Sequence, residues 1–177
     1  VPFTYDYPRP AVTVDLALVT ADDAGRAQLL LIQRGHAPFA GAWALPGGFV
    51  DEHEDLEDAA RRELLEETRV HAGALVQLGA YGAPGRDPRG HTVGVVYLSL
   101  CGPGAASPEA GDDAALCRWF PLHAPPTLAF DHDVIVRDAA TTLTEAAQDR
   151  AGFRRRFGGA AAPAWLDEVR ESCRRGR

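Results

Sequence analysis

The chain has 177 residues, 46% hydrophobic and 24% charged, with a formal net charge of −7. Those values fit one soluble domain with a sizeable core, and they argue against a nucleic-acid-binding main body. No apolar run approaches a membrane span and no signal-like start is present. The odd set Cys101, Cys117 and Cys173 lacks metal spacing, which predicts reduced thiols in a cytoplasmic protein. In chain order, Pro8 to Pro10 lead into the β-branched stretch Ala11–Thr20, which predicts a strand. Turn residues at 21–26 connect it to a second strand over Gln28–Gln33, giving a hairpin. The long loop Arg34–Pro46 ends at Gly47-Gly48, before a short strand or turn at Phe49–Val50. Glu54–Thr68 predicts a helix with acids in its first turns complementing the dipole. Leu75–Tyr81 and His91–Leu100 predict strands, separated by the turn-rich run 82–90. A polar loop, Gly102–Asp113, precedes a strand at Leu116–Leu122. Helical spacing follows over Asp133–Ala147. Strands and helices interleave, with hairpins, so the expected class is α/β: a mixed sheet covered by helices on both faces.

Charge divides the chain unevenly. All 18 basic residues are Arg, and residues 150–177 hold eight of them against Asp167, Glu168 and Glu171. We therefore expect a main domain at 1–149 and an Arg-rich C-terminal extension at 150–177. In that extension 151–164 reads as a linker and Ala164–Cys173 as a short helix. A solvated, partly disordered tail or a dimer arm is favoured over a nucleic-acid-binding one.

The segment 48–70, GFVDEHEDLEDAARRELLEETRV, carries the most chemistry. Glu63, Glu66 and Glu67 stand at i, i+3 and i+4, neighbouring positions on a helix. On a helical wheel Glu63 and Glu67 share the face of Leu56, Ala60 and Leu64, which should turn toward the core. Buried, unpaired carboxylates are costly, so a cation is expected there. An arginine can neutralise one of them. Three oxygen donors together suit a hard divalent cation such as Mg²⁺. A Glu-rich helix alone is usually a solvated face.

Gly48, five residues, Glu54, seven residues, then Arg62-Glu63-Leu64-x-Glu66-Glu67 with Val70 beyond: this pattern resembles the Nudix box. Ala44-Leu45-Pro46-Gly47 is also what Nudix hydrolases usually carry before it. The resemblance implies an α/β/α sandwich with a mixed sheet and a loop–helix–loop box. It also implies hydrolysis of a nucleoside diphosphate linked to another moiety. It makes Glu63, Glu66 and Glu67 ligands of Mg²⁺ (or Mn²⁺), joined by the Gly47 carbonyl, with Glu63 alternatively the base that deprotonates water. Arg62 would hold Glu54 and the box in shape. A further carboxylate from a later loop is expected, with Asp113 the candidate and Asp112 its alternative. Two positions depart from the pattern. Arg69 stands where the family usually has Gly, and His53 stands where many relatives do. A left-handed Arg69 would cost about 1 kcal/mol, or the helix would end differently.

Four softer segments resemble the ADP-ribose pyrophosphatase branch: YPRPAVTVD at 7–15, LLIQRGHAPFAGAWALPGGFVD at 30–51, GRDPRGHTVGVVYL at 85–98 and LAFDHDVI at 128–135. That resemblance implies ADP-ribose as substrate, with AMP and ribose 5-phosphate as products. Arg34, Arg86 and Arg89 are candidates for phosphate or ribose contact, or plain surface arginines. Phe39, Trp43, Phe130, Phe3, Tyr5 and Tyr7 are candidates for stacking on adenine, with core packing the alternative. His132, between Asp131 and Asp133, either lines the site or belongs to a helix-capping run. His91 and Trp119 read as structural. The competing function is a non-catalytic ADP-ribose-sensing regulator. Such sensors attach a winged helix, for which the 28 residues after 149 are too few, and this box keeps its four acids. The expected partner is a small nucleoside diphosphate, with no membrane, no nucleic acid, and a homodimer as in many relatives.

Overall fold

The computed structural model describes residues 4–102, 108–111, 114–158 and 164–175. Its centre is β1 (Ala11–Ala21), an apolar, β-branched strand buried on both faces. Asp22 accepts from the amides of Ala24 and Arg26 (3.0 and 2.8 Å), turning the chain into β2 (Ala27–Arg34). The two strands pair antiparallel only over Val19–Ala21 and Ala27–Leu29, and then diverge. Two short strands fill the fork: β3 (Trp43–Ala44) pairs with β2, and β4 (Gly47–Phe49) pairs with β1. On its other side β1 runs parallel to β6 (Thr92–Leu100), which carries β5 (Val76–Tyr81) antiparallel at the edge. β7 (Ala114–Pro121) lies antiparallel along β2. The sheet is mixed, as the interleaved hairpins predict.

Alternation along β1 divides the core in two. Val14, Leu16 and Leu18 pack with Ala59, Ala60 and Leu64 of α1 (Leu56–Thr68). Ala17, Val19 and Ala21 face the other layer, formed by α2 (His132–Ala146), α3 (Arg150–Gly158) and α4 (Trp165–Arg175). The architecture is the expected α/β/α sandwich.

Helix α1 begins at Leu56, two residues after the expected start, because Asp55 is the cap: its carboxylate accepts from the Glu57 amide at 2.9 Å. It ends at Arg69, left-handed at φ 59°, ψ 18°, whose amide donates to the Leu65 carbonyl. His53 is left-handed too, at φ 67°. Both departures from the usual glycines therefore keep the backbone that a glycine would favour. Residues of the later loop complete the cap, the Glu109 amide donating to the Thr68 carbonyl and the Gly111 amide to that of Glu67, each at 3.0 Å. A Cβ at Gly111 would collide with the Glu66 carbonyl, so this approach requires glycine.

One expectation is corrected. The stretch read as a linker is helical through Gly158, and Phe153 and Phe157 are buried in the same core cluster as β1 and α2. Their i,i+4 spacing puts both on one helix face. In α4, Leu166, Val169 and Cys173 join that cluster, while Asp167 bridges to Arg150 at 2.5 and 3.0 Å. Over 150–158 and 164–175 the Arg-rich segment is thus part of the packed body and not a solvated tail. Among the described residues no helix is long and apolar enough to cross a membrane.

Candidate active site

The fork between β1 and β2 brings the Gly47-Gly48 backbone against the acidic face of α1. A Cβ at Gly47 would strike the β1 backbone at Val14 and Asp15, and one at Gly48 would strike the Glu63 carboxylate. Two glycines therefore let β4 slide between β1 and the helix. The Gly47 amide donates to Glu67 Oε2 at 3.0 Å. Glu67 is buried, and burial pushes its carboxyl up to about 8. Burial also raises Glu63.

Arg62 ties the rest of the box together. Its Nε and Nη2 fork onto Glu54 at 2.7 and 2.8 Å, and Nη2 also donates to the Phe49 carbonyl at 3.2 Å. Its Nη1 donates to Glu63 at 2.8 Å and Glu66 at 3.2 Å. The Arg62 hydrogen bonds, helped by the Asp51 amide, hold Glu54 down to about 2. Glu67 lies outside this fork. Two carboxyls held up by burial and a third beside them form a hard-oxygen donor set short of positive charge, which fits a divalent cation. Among the described residues, no three acid, His or Cys side chains are already gathered as a coordination shell. Asp112 and Asp113 lie outside the described residues.

Above these acids is a cleft of about 300 Å³, floored by Gly47, Gly48, Glu63 and Glu67 and walled by Arg34 and Arg89. A narrower recess of about 40 Å³ continues from it toward Asp15, Phe130 and His132. Arg34 and Arg89 border both spaces and lie 4.9 and 5.7 Å from the Phe130 ring centroid. Phe39 meets Phe130 edge-on at 4.8 Å. Arg89 is also held by Asp87 at 2.7 Å and lies 4.8 Å from the centroid of Phe49.

Arg86 is neither a surface arginine nor a free cation. Its side chain is 6% exposed and forks onto Asp131 at 2.7 and 2.9 Å. Asp131 consequently gives the α2 terminus no side-chain cap, so the capping reading of this run does not hold for it. His132 is buried, its Nδ1 accepting from the Leu45 amide at 2.9 Å and its Nε2 lying 3.6 Å from Asp15 Oδ1. Burial lowers the imidazole and raises the Asp15 carboxyl, so we take the ring as neutral with its proton on Nε2. Trp43 is half-buried, edge-on to Phe120 at 4.7 Å and packed against the core cluster, as its packing alternative predicts. Tyr5 and Tyr7 are exposed, and Phe3 lies outside the described residues. Asp15 was missed by the sequence reading, although a lone acid within an otherwise apolar, doubly buried strand is a signal.

A NUDIX domain model matches residues 9–139. The chain belongs to the Nudix hydrolase family. It is 43% identical over 133 residues to an ADP-ribose pyrophosphatase of Methanocaldococcus jannaschii, spanning 75% of this chain and 74% of that one. It is 39% identical over 142 residues to the ADPR responsive transcriptional repressor NtrR of Acinetobacter baylyi, spanning 78% of this chain and 56% of the repressor. Its fold is similar to the NUDIX domain of Shewanella oneidensis NrtR complexed with ADP ribose, with a TM-score of 0.70 and 36% identity over 78% of this chain and 94% of that one. The Nudix match ends within α2, before α3 and α4 begin.

Proposed function

We propose that this Nudix protein hydrolyses ADP-ribose to AMP and ribose 5-phosphate with Mg²⁺ or Mn²⁺. The observation that carries the reading is Glu63 and Glu67, raised by burial, on the floor of an arginine-walled cleft. Glu63, Glu66, Glu67 and the Gly47 carbonyl would hold the cation, with Asp113 as a further donor. When bound, it supplies charge neutralisation for the diphosphate and a more acidic water. Arg62 keeps Glu54, Glu63 and Glu66 in fixed relation, and Glu63 can also take the proton of the attacking water. Arg34 and Arg89 offer the phosphates positive charge, while Phe130 and Phe39 offer an aromatic surface to the base.

The test is AMP release from ADP-ribose, separated by chromatography, with and without chelator. Release that stops with chelator supports the reading. A second reading, a sensor of ADP-ribose, is favoured by the likeness to the Acinetobacter repressor, and it leaves nucleic acid open as a partner. Tight ADP-ribose binding without turnover would select it. The absence of both binding and turnover would remove ADP-ribose as the ligand.

A further inference from the structure

We infer that His132 is a positioning residue that fixes the Leu45–Gly48 loop, and through it the Gly47 backbone, for metal binding. This rests on the proposed metal site. Each residue of the run 45–47 is anchored to a different element. The Leu45 amide donates to His132 Nδ1 of α2 at 2.9 Å, the Pro46 carbonyl accepts from the Leu16 amide of β1 at 2.9 Å, and the Gly47 amide donates to Glu67 of α1 at 3.0 Å. Pro46 has no N–H, so Leu45 and Gly47 supply the donors of this run. Losing the acceptor on His132 would strand a buried amide two residues before Gly47, and the loop would shift to satisfy it. The imidazole side chain is 5% exposed and both its nitrogens face protein groups, so its polar atoms act on Leu45 and Asp15, while only the ring borders the narrow recess. Its other nitrogen faces Asp15, which pairs with Gly47 across β1 and β4.

The two nitrogens can be separated. Asn at 132 places an amide oxygen near the Nδ1 position and can accept from Leu45. Gln reaches instead toward the Nε2 position, keeping a donor for Asp15 and losing the acceptor for Leu45. The experiment measures Mn²⁺ affinity by electron spin resonance on the full chain, with kcat and KM for ADP-ribose and thermal midpoints for His132→Asn and His132→Gln. Affinity in His132→Asn should stay within about threefold of the unaltered protein, while His132→Gln weakens it about tenfold or more. In His132→Gln, kcat should fall more than KM rises. Equal Mn²⁺ affinities in the two variants would overturn the inference. Failure of the unaltered chain to bind Mn²⁺ would overturn the metal reading and this inference with it. Mn²⁺ binding without hydrolysis would fault only the proposed substrate.

Discussion

Glu67 is where burial and charge conflict most directly. Its carboxyl is raised from 4.5 to about 8, so between those values the folded metal-free protein holds a proton that the unfolded chain has released. That stabilisation is complete below about pH 4.5 and is lost as pH rises toward 8. The unfolding free energy measured with chelator should therefore fall from pH 5 to 8, by at most about 1.4 kcal/mol per pH unit from this group. Glu67→Gln should flatten that slope. The same variant should lower kcat for ADP-ribose by orders of magnitude while the fold persists, since it removes a charge that the cation needs and keeps the shape. Unchanged turnover would mean that the site is elsewhere. The three glutamates were legible in the sequence because helical spacing alone brings them together. The His132–Leu45 bond was not, since it joins residues 87 apart.

At the scale of elements, α1 shows how a departure from pattern is absorbed. Arg69 keeps the left-handed cap, at a cost of about 1–2 kcal/mol for a side chain there. Glycine would relieve that but would lose about 0.5–1 kcal/mol more backbone entropy on folding. Arg69→Gly should therefore raise stability by roughly 0.5–1 kcal/mol, read as a higher urea midpoint with unchanged slope. A lower midpoint would show that the Arg69 side chain contributes more than its backbone costs. The start of α1 was legible to within two residues. Its closure by the Glu109 and Gly111 amides was not, because no local pattern tells a loop which helix end it will cover.

At the scale of the molecule, the C-terminal helices close one face of the sandwich. Phe153, Phe157, Leu166 and Val169 lie in the core cluster shared with β1, β2 and α2. Phe153→Ala should cost about 3–5 kcal/mol in chemical denaturation. A loss under 1 kcal/mol would mean that α3 rests on the body without stabilising it. Truncation at 149 would expose the same face. Loss of nucleic-acid retention in such a truncated chain would therefore say nothing about the arginines, and substituting the exposed Arg155 is the cleaner probe.

The sequence by itself determined the class, nearly every strand and helix, and the acids of the box, because period, caps and fixed spacing are local properties of the chain. It misread 151–158, where three consecutive arginines masked two phenylalanines spaced one helical turn apart. Only the tertiary structure decided which charges stay available at the cleft. Arg34, Arg86, Arg89 and His132 look alike as candidates in the sequence and all have protein partners, yet Arg86 and His132 are buried against theirs while Arg89, held by Asp87, stays exposed at the cleft wall. Burial makes an unmatched polar group costly, and which groups become buried together depends on where the sheet forks and what packs into the opening.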